Sequence, residues 1–203
     1  MKRLLAVAWV GLAILWGASV ALAAPKSGLG IWGSLLSSEE AFSVPAANSF
    51  TGAKLNFTGS ASGVGFGADY QIAMGDLSIN PFVEYDQQSV SFPSSKVGSG
   101  SWNTATHYYV GVQVRYWIEK LFVGAQLGYF SDDLTGEKQS FGVTDYNGTG
   151  QAYGIAGGWE DDNGLMASLQ IDFGHTEFKF SGQKKSDTID TTTYRANVGW
   201  RFK

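Results

Sequence analysis

The last ten residues divide by parity. Tyr194, Ala196, Val198, Trp200 and Phe202 fall on one face, and Arg195, Asn197, Gly199 and Arg201 fall on the other. Successive side chains of a strand point to opposite faces, so this is one amphipathic strand with an aromatic-ended apolar side. The same period of two recurs over Gly28–Leu36, Ala61–Ala73, Leu77–Phe92, Thr104–Ile118, Leu121–Phe130, Gly150–Trp159 and Leu165–Phe180. With the terminal strand these make eight, and after the N-terminal segment no stretch carries a helical period. The connections alternate in length: Met74–Asp76, Glu119-Lys120 and Glu160–Gly164 are short, whereas 37–60, 93–103, 131–149 and 181–191 are long and mostly polar. The pattern predicts an all-β fold, a closed eight-stranded antiparallel up-and-down transmembrane β-barrel with its short turns periplasmic. Pro81 lies inside the third strand, where it removes a ladder donor, and predicts a local bulge there.

The N-terminus adds an address. Lys2 and Arg3 precede the apolar run Leu4–Leu15, and Ala21-Leu22-Ala23 is a small-x-small cleavage site. Residues 1–23 are expected to be a secretory signal peptide and 24–203 the barrel domain. No cysteine stands at the cleavage point, so a lipidated N-terminus is not expected. Loss of Lys2 and Arg3 leaves 12 basic against 18 acidic residues, a net charge of −6. Without a basic run, nucleic acid is not an expected partner. With no cysteine in the chain, disulfides and thiolate metal sites are excluded.

Alternation alone does not say which face meets lipid, since soluble barrels alternate with the apolar face inward. Two features decide. The polar faces carry charges of both signs at Asp69, Glu84, Arg115, Asp172, Arg195 and Arg201, interspersed with Gly63, Gly65, Gly67, Gly111, Gly124, Gly128 and Gly199. Small residues beside long charged ones suit a narrow lumen. The apolar faces carry two aromatic girdles: Tyr116, Trp159, Trp200 and Phe202 near the short turns, and Tyr108, Tyr129, Phe173 and Tyr194 about eight residues higher. At about 3.3 Å per residue and a tilt of about 40°, that separation spans roughly 20 Å of bilayer. The lipid is expected outside, in a bacterial outer membrane.

These features resemble the small eight-stranded outer-membrane proteins of the OmpA, OmpX and opacity-protein type, over essentially all of Ala24–Lys203. The sharpest element is Tyr194-x-x-x-Val198-Gly199-Trp200-Arg201-Phe202, similar to the terminal-strand signal read by the barrel-assembly machinery. In that family the aromatic residue is commonly the last, whereas here Lys203 follows it. The resemblance implies a porin-like, cell-surface barrel of a Gram-negative envelope, in contact with outer-membrane lipid and lipopolysaccharide. It also implies a monomer without cofactor, and no peptidoglycan-binding domain of the OmpA kind is expected.

Three places could carry function. In the lumen, Asp69, Glu84, Asp172 and Arg195 are expected at middle heights and Arg115 and Arg201 nearer the periplasm, with Gln71, Gln113 and Gln126 around them. An eight-stranded barrel is barely wider than its side chains, so a hydrogen-bonded ionic plug is expected; a narrow pore or a conduit for a hydrophobic small molecule is the alternative. For catalysis the available bases are His107 and His175, read as belt residues at the outer interface, and neither has the His-x-Ser arrangement of barrel lipid deacylases; a lipid-modifying enzyme is the least favoured reading. Glu160–Gly164 and Ser131–Asp133 could hold a hard cation only loosely, so no metal site is expected. The long loops carry Phe42, Val44, Phe50, Leu55, Phe57, Leu134, Phe141, Val143 and Tyr146, and the leading expectation is a non-enzymatic structural or surface-interaction role exercised through them toward an external ligand or host surface.

Overall fold

A computed structural model describes residues 25–45, 54–92, 100–135, 145–178 and 187–203. The expected signal peptide lies outside the described residues, as do Phe50, Phe141 and Val143. Eight strands follow in order: β1 (Gly28–Pro45), β2 (Lys54–Met74), β3 (Leu77–Phe92), β4 (Gly100–Ile118), β5 (Leu121–Thr135), β6 (Asp145–Glu160), β7 (Leu165–Phe178) and β8 (Asp187–Phe202). Each pairs antiparallel with its neighbours in sequence, and β8 closes on β1. Closure leaves no free edge, which is the condition for a sheet to cross lipid.

Partners can be followed once round the wall. Ile31 pairs with Ala68, Ala68 with Val83, Val83 with Val110 and Val110 with Tyr129. Tyr129 continues to Gln151, Gln151 to His175, His175 to Asp190, and Asp190 to Ala41. The circuit returns to β1 ten residues above its start. A stagger of ten residues over eight strand spacings tilts the strands by about 40°. Residues paired across the ladder therefore climb steadily around the barrel, and height cannot be counted along a single strand.

The strands run further than the hydrophobic pattern alone predicts. β1 continues to Pro45 and β2 begins at Lys54, so Phe42, Val44, Leu55 and Phe57 occupy strand positions, as do Leu134 and Tyr146. Above the upper girdle the wall leaves the hydrocarbon, so the ladder continues where apolar alternation has no reason to. At the other end the turns are tight: Gly75 and Gly164 take positive φ, and Glu119 does so at 60° without the freedom of glycine. Lys120 donates to Asp162 at 2.7 Å across two of these turns and holds that exposed carboxyl below its usual range.

Pro81 has no bulge beside it. It pairs in register with Val112, and on the β2 side the register is the same at Asp69↔Phe82 and Ile72↔Ile79, with no partner assigned at Tyr70 and Gln71. The ladder absorbs the missing donor by a local gap. The register shift in β3 lies higher, between Gln88 and Val90.

The apolar faces point outward. Leu35, Phe66, Leu127, Tyr153 and Val198 are each more than half exposed to the membrane side, whereas Asp69, Gln71, Asn80, Asp86 and Arg201 are almost wholly enclosed. Inward glycines make room for what fills the lumen. A Cβ on Gly67 would sit 2.4 Å from the Trp32 ring, and one on Gly30 would sit 2.4 Å from Asp69 Oδ1. Outward Gly33, by contrast, has nothing closer than the Gly65 carbonyl at 3.9 Å. Gly67→Leu should therefore cost about 1–3 kcal/mol in urea unfolding from lipid vesicles, and Gly33→Leu less than about 0.5 kcal/mol.

Candidate functional site in the lumen

Among the described residues, seven buried carboxylates point into the barrel, Glu40, Asp69, Glu84, Asp86, Asp132, Glu160 and Asp172, against three buried guanidinium groups, Arg115, Arg195 and Arg201. Charges removed from water must be paired to be tolerated, and the network is organised around that need. At the periplasmic end Asp69 accepts from Arg115 at 2.9 Å and from Arg201 at 2.7 Å. Arg201 also donates to Glu160 at 2.9 Å, and Lys203 approaches the same carboxylate at 3.3 Å. Asp69 thus belongs to the periplasmic layer, not to the middle one predicted for it. The steady climb of partner residues is the reason, since Asp69 on β2 lies opposite Gly30, whose other partner is Arg201.

Arg195 is the hub of the middle layer. It donates to Asp86 at 2.9 Å and to Asp172 at 3.0 Å, with Glu84 at 3.7 Å. Gln170 donates to Asp172 at 2.7 Å, and Gln113 donates to Gln126, which donates onward to Asp172. The indole N–H of Trp32 donates to Glu84 at 3.1 Å. The lumen is not uniformly polar. Phe82, Tyr109, Phe130 and Ala152 form one enclosed cluster with Trp32 packed on it, and Trp117, Phe122 and Ala156 form another. The Arg115 guanidinium lies 4.7 Å over the Phe122 ring, where the aromatic face favours a cation.

The uppermost layer holds His107, which the sequence reading placed in the outer belt. It faces inward: its neighbour Tyr108 is exposed to the membrane side, while the His107 side chain is only 14% exposed. Its Nδ1 hydrogen-bonds Asp132, and its Nε2 lies 4.0 Å from Asp86. Thr176 donates to the other oxygen of Asp132 at 3.0 Å. His175 does point outward, paired with Asp190 at 2.6 Å. The two imidazoles are on opposite sides of the wall, and among the described residues no Ser or Thr hydroxyl is shown hydrogen-bonded to either.

The predicted outer positions of Tyr108, Tyr116, Tyr129, Phe173, Trp200 and Phe202 are exposed on the wall, and Trp159 and Tyr194 are partly covered there. Sequence reasoning missed Trp32, Asp132 and Glu160 as luminal groups. A signal existed for Glu160, because Gly150, Ala152, Gly154, Ala156 and Gly158 mark the inward face of β6 with small residues and Glu160 continues their parity. Between the layers lie cavities of about 20 Å³, beside Asp69, Gln113 and Arg115, and of about 40 Å³, beside His107, Asp172 and Arg195. Each has room for one to three waters.

Arg195→Ala should strip the middle layer of its cation and cost about 3–5 kcal/mol in unfolding from vesicles. Adding Asp86→Asn and Asp172→Asn should return part of that loss.

No family model and no curated protein sequence matches the chain. Solved structures do match. The attachment invasion locus protein Ail of Yersinia pestis, in complex with the heparin analogue sucrose octasulfate, shares 16% identity, covering 88% of this chain and all of that one, with a TM-score of 0.53. The outer membrane protein AlkL in lipid bilayers shares 14% over 92% of this chain and 95% of its own, at 0.55. The outer membrane protein OprG from Pseudomonas aeruginosa shares 12% over 90% and 99%, at 0.50. What this chain has in common with them is the fold, that of a small outer-membrane β-barrel.

Proposed function

We propose that this barrel is a non-enzymatic surface protein. In this reading its working parts are the connections at the top, residues 46–53, 93–99, 136–144 and 179–186, held in place by a plugged scaffold. The observation that carries it is the Arg195 hub, which joins Asp86 on β3 and Asp172 on β7 across the lumen, with voids of water size beside it. A plug cross-braced between distant strands serves rigidity better than transport. Such a scaffold resists deformation by whatever the connections hold.

Charge narrows the partner. Ail is described in complex with a polysulfated sugar. The upper strand ends here carry outward Glu39, Asp133, Glu177 and Asp190, above a lumen that is itself acidic. The connections themselves carry Lys96, Lys138, Lys179, Lys184 and Lys185 against Glu137, so a partner of one uniform sign meets like charge at this end and a neutral or mixed surface suits it better. Export through an N-terminal signal peptide and insertion by the barrel-assembly machinery through the β8 signal belong to the same proposal.

Intact cells displaying the barrel should bind a subset of immobilised host-surface proteins in preference to heparin and to simple polycations. Replacing the four upper connections with short turns should abolish that binding while the amount of folded barrel stays unchanged. Equal binding without the connections overturns the reading. In planar bilayers the wild-type protein should show no discrete conductance steps, and steps from the wild-type protein, lost in Arg195→Ala, would establish a pore instead.

A further inference from the structure

The outer wall has a broad, open depression. Gly33 on β1 has no side chain to present to lipid, and its ladder partners are Phe66 on β2 and Val198 on β8. Together with Ala68 it forms the floor of a groove of about 920 Å³ lined almost wholly by apolar atoms. One side is a row of rings in contact across three strands: Phe66 and Tyr85 are tilted with centroids 5.1 Å apart, and Tyr85 and Tyr108 meet edge to face at 5.2 Å. The opposite side is Val198 with Trp200, near the periplasmic girdle. Elsewhere the outward positions of β1 and β2, Leu35, Val64 and Tyr70 among them, fill their share of the wall with side chains.

We propose that this groove is a binding site for one saturated acyl chain of an outer-leaflet glycolipid. The groove is continuous with the lipid-facing wall, so hydrocarbon is already its solvent, and its lining offers a polar group almost nothing to pair with. Its upper end lies at Tyr108, in the extracellular girdle, and so admits a chain from the outer leaflet. The row of rings then supplies a rigid flank along which an extended chain makes contacts that a flat wall cannot. A chain lying on Gly33 recovers the packing that the missing side chain leaves unmade.

The test uses the full barrel extracted from outer membranes in mild detergent, with retained lipid identified by native mass spectrometry. Gly33→Leu fills the floor. Gly157→Leu is the control, because Gly157 is also open on its outer side, with nothing nearer than the Phe122 carbonyl at 3.6 Å, but it lies on β6 away from the groove. Wild type and Gly157→Leu should retain one lipid A-sized adduct, and Gly33→Leu should reduce its occupancy about tenfold. A photoactivatable acyl-chain lipid in vesicles should label peptides of β1 to β3 in the first two proteins and lose that preference in the third. Equal retention by all three, or labelling spread evenly around the wall, overturns the proposal. A retained phospholipid instead of a glycolipid overturns the assignment to the outer leaflet. Disulfide-linked dimers of Gly33→Cys within membranes would make a second copy of the chain the occupant.

Discussion

The constraint on which the structure depends is that hydrocarbon offers no hydrogen bonds. Every backbone N–H and C=O within the bilayer has to find its partner in the chain itself, and a strand can do so only if the sheet has no edge. The pairing of β8 with β1 is therefore the condition for the other seven ladders to exist in lipid. The break at Pro81 fits the same logic. A missing donor is tolerated as a gap of two residues with register kept, because a shift there would turn every side chain above it to the wrong face.

Closure with eight strands and a ten-residue stagger makes a lumen barely wide enough for its own side chains, and from that follows its chemistry. Polar alternation puts carboxylates and guanidinium groups inside, where they are deprived of water, and each must reach a partner on a different strand. Arg195 and Arg201 act as bridges for this reason, and Trp32 spends its indole N–H on Glu84. The glycines are the complement of these long side chains: Gly67 yields its space to Trp32 and Gly30 to Asp69. On the outer wall the same residue type has the opposite meaning, since an outward glycine makes room for something that is not protein.

The lumen holds more acid than base, and the imbalance grows toward the extracellular end, where His107, Asp86, Asp132 and Glu40 lie together.

Strand number, the direction of each face and the inward set Asp69, Glu84, Gln113, Arg115, Gln126, Asp172, Arg195 and Arg201 could be read from alternation, because a half-buried strand writes its two environments into neighbouring residues. The strand tops could not, since β1 and β2 continue above the hydrocarbon, where nothing demands apolar alternation. His107 was misplaced by reading it with Tyr108 as belt, although its own parity turns it inward. Partner choice was beyond reach in principle. Which carboxylate meets which arginine is set by the stagger of the closed sheet, a property of all eight ladders together. Asp69 joined Arg201 because of that stagger, and the groove over Gly33 exists because three strands happen to bring Phe66, Val198 and an absent side chain to one height. The sequence by itself determined which side of each strand faces lipid, through the cost of burying charge in hydrocarbon; only the tertiary structure decided who meets whom, because closure sets every height at once.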